Sequence, residues 1–411
     1  MGILCFIDDY CNAIIVGSMM QPITDKFRVS REKLAFIVDA TSAPVTGLAV
    51  ISTWIAYEVG LFTSVGADLG IGKGGYSMFF DALQFRFYCV LMLVFVFVNV
   101  LTGLDFGAMK KAQMLEEAEE KSRTAGFDIE LSGVQSGRAI NAIIPLGGLI
   151  LFHITGLWVD GEGPAKIREG GSLFSWVHWK EVIGGNEDSN STLILLMAAL
   201  FGLGLSLICG LATRLLRGGV VLGCLWRGVK RAFMPSCILI LAWSLKDCCT
   251  ALETGGFLTE ILAGRISPHW FPAILFLVAS LTSFATGTSW GTMAILIPTA
   301  IPIAYALDGD TYGLTTMISL GAVLDGAIFG DHCSPISDTT IISSTASSCN
   351  LIQHVRTQLP YSLLVAGLAL CFAYLPSAFG LAPGKSLALA IFVMACIFFV
   401  LTRRRRRRTN R

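Results

Sequence analysis

Between Leu324 and Ser344 the chain reads LDGAIFGDHCSPISDTTIISS, which places Asp325, Asp331, His332 and Asp338 inside a run that is otherwise apolar and long enough to cross a bilayer. Packing asks for none of these groups. A carboxylate at membrane depth costs about 3 kcal/mol or more unless it faces a partner, an ion or water. Pro335 lacks an N–H and its ring clashes with the preceding turn, while Gly326 and Gly330 weaken the helix before it. The stretch is therefore expected to form two half-helices with an unwound middle. Half-helix ends and freed carbonyls at that depth are the groups from which intramembrane ion sites are built.

Composition sets the class around this feature. The 411 residues are 54% apolar and 14% charged, with 43 glycines, and the mean hydropathy is +0.68. These values exclude an ordinary soluble domain and predict an all-α polytopic membrane protein. A net charge of +1 carries no nucleic-acid footprint, because the charges are segregated into loops. The twelve cysteines show no CxxC or paired spacing and read as small buried apolar residues. The start, MGILCFIDDY, lacks a basic region and a small-residue cleavage site, so no signal peptide is expected.

Apolar runs of bilayer length predict about ten membrane segments, near residues 3–20, 34–62, 87–104, 139–159, 193–215, 233–252, 270–307, 313–344, 359–379 and 386–402. The run Arg403 to Arg408 marks a cytoplasmic C-terminus, and the basic linkers around Arg28 and Arg217 agree with it. Threading these signs back puts the loop at Asp308 to Asp310 and the loop from Glu253 to His269 on the same outer face. The segment between them has about 38 residues, roughly 57 Å if helical, which is too long for one span. A re-entrant hairpin is expected there, with its tip near Gly287 to Gly291. Residues 105–138 read as a polar cytoplasmic loop carrying a short charged helix, and Asn190-Ser191-Thr192 is a sequon of little weight.

Four polar constellations interrupt the apolar spans. They are Phe6 to Asn12 with Pro22 and Asp25, Asp39 with Thr41, Ser42 and Pro44 continuing to Trp54, Thr286 to Thr292, and the stretch from Leu324. The first matches the fourth weakly, FIDDYCNAI against FGDHCSPI, with Asp9 opposite Asp331 and Asn12 opposite Ser334. Such a match is what two duplicated halves sharing one site produce.

Two of these motifs are long enough to be specific. GTSWGTMAILIPTAIPIA from Gly287 and FGDHCSPISDTTIISS from Phe329 resemble the C-terminal core of the NhaC-type sodium/proton antiporter family. FIDDYCNAIIVGSMMQPITDKFRVSREKLA from Phe6 is similar to its first-half motif. The resemblance implies a transporter-type membrane protein with discontinuous helices and a hairpin, exchanging Na+ against H+. On this reading residues 1–104 hold the first-half transport segments and residues 139–402 the second-half core, and residues 403–411 are a basic cytoplasmic tail. Relatives usually carry further spans ahead of the FIDDY motif, so the family's N-terminal part is expected to be missing here. The plasma membrane is the implied location, multi-pass.

The residue types fit that task. Carboxylates, hydroxyls and freed carbonyls supply the oxygens that Na+ takes, and desolvation favours the protonated carboxyl. An aspartate so placed binds H+ or Na+ but not both, and that competition is exchange. The expected ion-binding set is Asp331, Asp338, Asp9, Asp8, Ser334, Ser337, Thr339 and Asn12. Thr288, Ser289, Trp290 and Thr292 form the expected hairpin tip or substrate contact, and His332, Asp325 and Asp39 the expected proton relay. Asp39 and Asp325 have a competing reading as partners of Lys246 or of backbone groups, and Gly287xxxGly291 and Gly326xxxGly330 have one as close helix packing. Asp331, His332 and Cys333 are adjacent and cannot all face one tetrahedral zinc from a helix. No catalytic residue, resident metal or cofactor is expected. The expected partners are Na+, H+ and the lipid bilayer, with a homodimer left open and no nucleic acid. Two other functions stay open: a Na+- or H+-coupled carrier of a small organic acid or amino acid, and a non-transporting truncated fragment.

Overall fold

The computed structural model describes residues 6, 8–50, 52–119, 140–169, 191–213, 221–226 and 267–409, with scattered positions between 172 and 251. Among the described residues every regular element is helical. In chain order these are α1 (Asp9–Lys26), α2 (Arg31–Leu48), α3 (Thr53–Asp68), α4 (Gly75–Leu83), α5 (Phe87–Thr102), α6 (Gly107–Glu119), α7 (Ile140–Asp160) and α8 (Gly163–Arg168). They continue with α9 (Ser191–Ala212), α10 (Phe271–Thr286), α11 (Ser289–Leu307), α12 (Leu314–Cys333), α13 (Asp338–Ala346), α14 (Leu351–Ala369), which runs on through a π-helical turn (Leu370–Tyr374) and a short helical turn (Leu375–Ala378), and α15 (Pro383–Thr409). Six helical segments among the described residues are long and apolar enough to cross a membrane, or up to seven if the bent pair α2–α3 is one span. Most of the predicted span at 233–252, Lys246 in it, Asn190 of the sequon and residues 120–139 of the loop after Glu119 lie outside the described residues.

Local chemistry explains where the helices start and stop. Asp8, Ser30, Thr288, Ser337 and Asn350 each accept a backbone N–H of the first turn that follows, which supplies α1, α2, α11, α13 and α14 with side-chain caps. The predicted single span at 34–62 is two helices bent by 47°. Ser52 makes that corner: its hydroxyl donates to Thr46 O at 2.8 Å and accepts from Ile55 N at 3.1 Å. The long segment 270–307 is interrupted at Gly287-Thr288, where Gly287 takes φ +68 and ends α10. The segment 313–344 is interrupted at Ser334 to Ser337, around Pro335. Gly326 and Gly330 do not loosen α12. They lie within it, and a Cβ at each would stand 2.5 Å from Phe276 O and 2.2 Å from Ser280 O of α10. The glycines are there so that two backbones can touch.

The chain divides into two compact units. One comprises Met1–Leu61, Asp81–Ser122 and Ala242–Arg411. Its centre is α12, with α2, α5, α10, α11 and α14 around it. Phe36, Phe95, Phe106 and Tyr361 make one aromatic core, and Phe276, Phe329 and Tyr374 another. The other unit comprises Phe62–Phe80 and Arg123–Leu241. In it α7 and α9 pack antiparallel, with Gly148 against Leu205 and Gly156 against Ile194, and the Phe152 and Phe201 rings stack at 5.1 Å.

Candidate functional site

The interruption between α12 and α13 exposes backbone groups inside an apolar unit. Asp331, in the last turn of α12, is buried, and the Thr339 hydroxyl donates to its Oδ2 at 2.8 Å. Ser337 Oγ stands 3.0 Å from Thr339 Oγ1. Since the Thr339 proton is committed to Asp331, Ser337 is the donor of that pair. Asp331 Oδ1 is buried and has no hydrogen-bond partner of normal geometry, although the Ser337 hydroxyl stands beside the carboxyl. Asp338 opens α13, where Thr339 N–H donates to its Oδ1 at 2.8 Å and the Tyr10 hydroxyl to its Oδ2. Asp331 thus keeps one oxygen without a donor, while both oxygens of Asp338 are engaged.

The second contribution comes from the start of α1. Asp8 caps the helix through Cys11 N at 2.9 Å and lies 3.4 Å from the Thr53 hydroxyl. Asp9 is 1% exposed, within electrostatic reach of Asp8 and Asp338. The Trp54 indole stands beside it, yet neither carboxylate oxygen has a hydrogen-bond partner of normal geometry. Asn12 is buried one turn further along. A fully buried carboxyl without donors is costly unless it is protonated or meets a cation.

The third contribution is the Gly287-Thr288 interruption, which lies directly against the first. A Cβ on Gly287 would meet Ile336 O at 2.8 Å, and Ser334 Oγ donates to Phe284 O at 2.8 Å. Two breaks therefore cross, each tied to the other by backbone contacts. Ser289 Oγ reaches Ala327 O at 3.3 Å, while Thr288 caps α11 and Thr292 Oγ1 bonds Thr288 O at 2.9 Å. Trp290 extends toward α3: its carbonyl accepts from the Tyr57 hydroxyl at 2.7 Å and its ring meets Trp54 edge-on at 6.0 Å. Through Trp54 the predicted tip borders Asp9.

Asp39 forms a hub behind Asp331. Its carboxylate accepts from Gln358 Nε2 at 2.6 Å and from the Thr340 and Ser343 hydroxyls at 3.3 Å each, and His354 Nε2 stands 3.4 Å away. Gln358 also donates to the His332 carbonyl at 2.7 Å, and the His332 ring meets the Tyr88 hydroxyl at 3.0 Å. Asp325 sits elsewhere on α12, paired with Arg86 at 3.1 Å. The structure thus brings together Asp331, Asp338, Ser337, Thr339 and Asp9, with Asp39 and His332 joined to them through α13 and α14. Ser334 is occupied as a stitch between the two breaks. Tyr10, Trp54, Thr340 and Ser343 fell within the polar constellations of the sequence without being assigned to the site, and His354 and Gln358 fell in none of them. His354, Gln358, Tyr361 and Ser362 lie at helical spacing, and that polar stripe in an apolar helix was the available signal. Among the described residues no three of His, Cys, Asp and Glu gather as a metal-holding group.

Apolar helices of bilayer length, interrupted where buried carboxylates converge, define a multi-pass helical membrane protein of the transporter type. The chain belongs to the Na+/H+ antiporter family, whose model matches residues 45–375. An uncharacterized protein of Haemophilus influenzae is 32% identical over 368 residues, 88% of this chain and 66% of the relative. The malate-2H+/Na+-lactate antiporter of Bacillus subtilis is 38% identical over 98 residues, 24% of this chain and 20% of the relative. The Na+/H+ antiporter NhaC of Alkalihalophilus pseudofirmus is 31% identical over 131 residues, 31% of this chain and 26% of the relative. The chain thus spans less than two thirds of the length of each of these relatives. No solved structure matches it.

Proposed function

We propose that the chain is a secondary active Na+/H+ antiporter working by alternating access, with its site at the crossing of the two helix breaks. The observation that carries this reading is that two buried carboxyls, Asp331 at that crossing and Asp9 beside Trp54 and Asp338, keep oxygens without donors of normal geometry. Asp331 and Asp338 act as the exchange carboxylates and Asp9 as their first-half partner. Na+ takes Asp331 Oδ1 and the Asp9 oxygens, and H+ takes the same positions when Na+ leaves. The Ser337 to Thr339 to Asp331 donor chain holds the carboxylate in one orientation through both states. Asp39 and His332 supply the proton path on the far side of α13. The 271–307 pair enters and leaves on one face as a re-entrant hairpin, and the arginine tail lies in the cytoplasm of a cell whose plasma membrane holds the protein.

A second reading changes the cargo. The resemblance to a malate-2H+/Na+-lactate antiporter supports a Na+-coupled carrier of a small carboxylate. The deciding assay uses everted vesicles carrying the full chain, with an acid interior reported by a quenching dye. Na+ alone collapses the gradient in the wild type and fails to do so with Asp331→Asn if antiport is the function. A collapse that needs malate or lactate as well as Na+ moves the conclusion to the carrier. A fully inserted chain that responds to neither removes both readings for this chain.

A further inference from the structure

A second buried charge cluster lies apart from the crossing, where α3, α12 and the turn before α5 meet. Arg86 Nη1 is 3.0 Å from Glu58 Oε1 and Arg86 Nε is 3.1 Å from Asp325 Oδ1, with all three side chains fully buried. Arg86 Nη2 reaches Cys89 Sγ at 3.6 Å. Room for the guanidinium exists because residue 47 is glycine, whose Cβ would stand 2.4 Å from Nη2.

The two carboxyls are not equivalent. Asp325 Oδ2 accepts the Tyr88 N–H at 2.6 Å, so it caps the start of α5, which has no side-chain cap of its own. The Tyr374 hydroxyl lies 2.8 Å from the same oxygen, brought there by the π-helical turn Leu370–Tyr374. The Tyr88 N–H on Oδ2 and the guanidinium charge beside Oδ1 match an ionised Asp325, although Arg86 Nε and Oδ1 form an ion pair without a hydrogen bond and the Tyr374 hydroxyl also reaches Phe85 O at 2.9 Å and Gly321 O at 3.1 Å. Glu58 has the guanidinium at Oε1 only, and its buried Oε2 has no hydrogen-bond partner. Arginine stays charged. With both carboxyls ionised the cluster would hold one uncompensated negative charge away from water, which a bound proton removes.

We propose that Glu58 is an exchangeable proton-binding carboxyl, separate from the Asp331 centre, with its proton on Oε2 and with Arg86 and Asp325 as its fixed counter-ions. The groups facing it are Arg86 before α5 and Asp325 on α12, with Cys89 behind the guanidinium. Both flanking elements also reach the crossing. Trp54 and Tyr57 precede Glu58 on α3 and touch Trp290, and Asp325 lies about 9 Å along α12 from Asp331. Movement of α3 against α12 during a cycle therefore alters the grip of Arg86 on Glu58, and with it the proton's hold. This transport role rests on the antiporter reading; the proton site itself does not.

Infrared difference spectroscopy on the purified full chain, titrated from acid to alkaline pH, follows the carbonyl stretch of protonated carboxylic acids. A titrating band that is lost in Glu58→Gln and kept in Asp331→Asn is expected. Because glutamine replaces a neutral acid, Glu58→Gln should also unfold at the wild-type temperature. The proposal is overturned by the absence of any Glu58-dependent band, by a band that does not respond to pH, or by a marked drop in unfolding temperature, which would show an ionised structural partner of Arg86. In proteoliposomes Glu58→Gln should lower the protons moved per Na+ by one while Na+ exchange continues, and an unchanged ratio overturns the transport role. A wild-type chain without Na+/H+ exchange would sink the antiporter reading and leave the infrared titration to decide the site.

Discussion

Thr339 places a single hydroxyl on Asp331, and that contact sets what the carboxylate can do. The bond orients Oδ2 and leaves Oδ1 without a donor, the position the proposed antiport assigns to a cation or a proton. A hydrogen bond to an ionised group contributes about 1.5–3 kcal/mol. Thr339→Val should therefore weaken Na+ binding roughly 10- to 100-fold while leaving the chain inserted. The Na+ concentration for half-maximal dye dequenching measures this directly; a value equal to that of the wild type would place the Na+ site elsewhere. Tyr10→Phe removes a donor from Asp338 and is expected to shift the same curve less, because Thr339 N–H still serves that carboxylate. The aspartates of this centre were legible in the sequence because an ionisable group in an apolar run has no bland reason to be there. Thr339 was named with them as an oxygen ligand, but its part as a donor to Asp331 was not, and Tyr10 was left out of the set. A threonine or tyrosine suits an apolar helix with its hydroxyl bonded to its own backbone, as Thr41 and Thr292 do, and only the fold shows which carboxylate Thr339 and Tyr10 serve.

At the scale of elements, the interruption at Pro335 was readable and the work of the glycines before it was less so. Proline breaks a helix by covalent geometry, which a sequence states outright. Glycine either loosens a helix or admits a neighbour, and the choice depends on what lies across from it. Here α10 lies across from Gly326 and Gly330. Gly330→Ala puts a methyl group at the Ser280 carbonyl and should cost about 1–3 kcal/mol through separation of the two backbones. Gly367 in α14 has open space around its Cα, so Gly367→Ala is expected to be neutral or to add about 0.5–1 kcal/mol. Thermal unfolding of the two variants in the same detergent tests the contrast. Equal behaviour would mean that α10 does not rest on this ridge. The bend between α2 and α3 escaped the hydropathy reading for a related reason. Ser52 turns the chain with one hydroxyl, and a serine lowers the hydropathy of the run too little to mark a break.

For the whole molecule, hydropathy identifies what is apolar without saying what faces lipid. The spanning window of α12 is 83% buried and that of α15 only 22%, although α15 is the more apolar. Central helices carry the polar groups and peripheral ones the exposed leucines and phenylalanines, so a polar span marks the middle of such a protein. The same logic identifies what ties the central helices at their other end. Lys33 of α2 is 2.8 Å from Asp105, which also accepts from Tyr361 of α14 at 2.9 Å and lies 3.3 Å from Asn99 of α5. The pair is 9% and 8% exposed, so solvent screens it little. Removing one partner of a buried pair leaves an uncompensated charge and costs about 3–5 kcal/mol, whereas replacing both by apolar residues is often nearly neutral. Lys33→Met alone should lower the unfolding temperature sharply, and Lys33→Met combined with Asp105→Leu should recover most of the loss. A double variant as unstable as the single one would show that Asp105 holds the three helices through Tyr361 and Asn99 rather than through its charge.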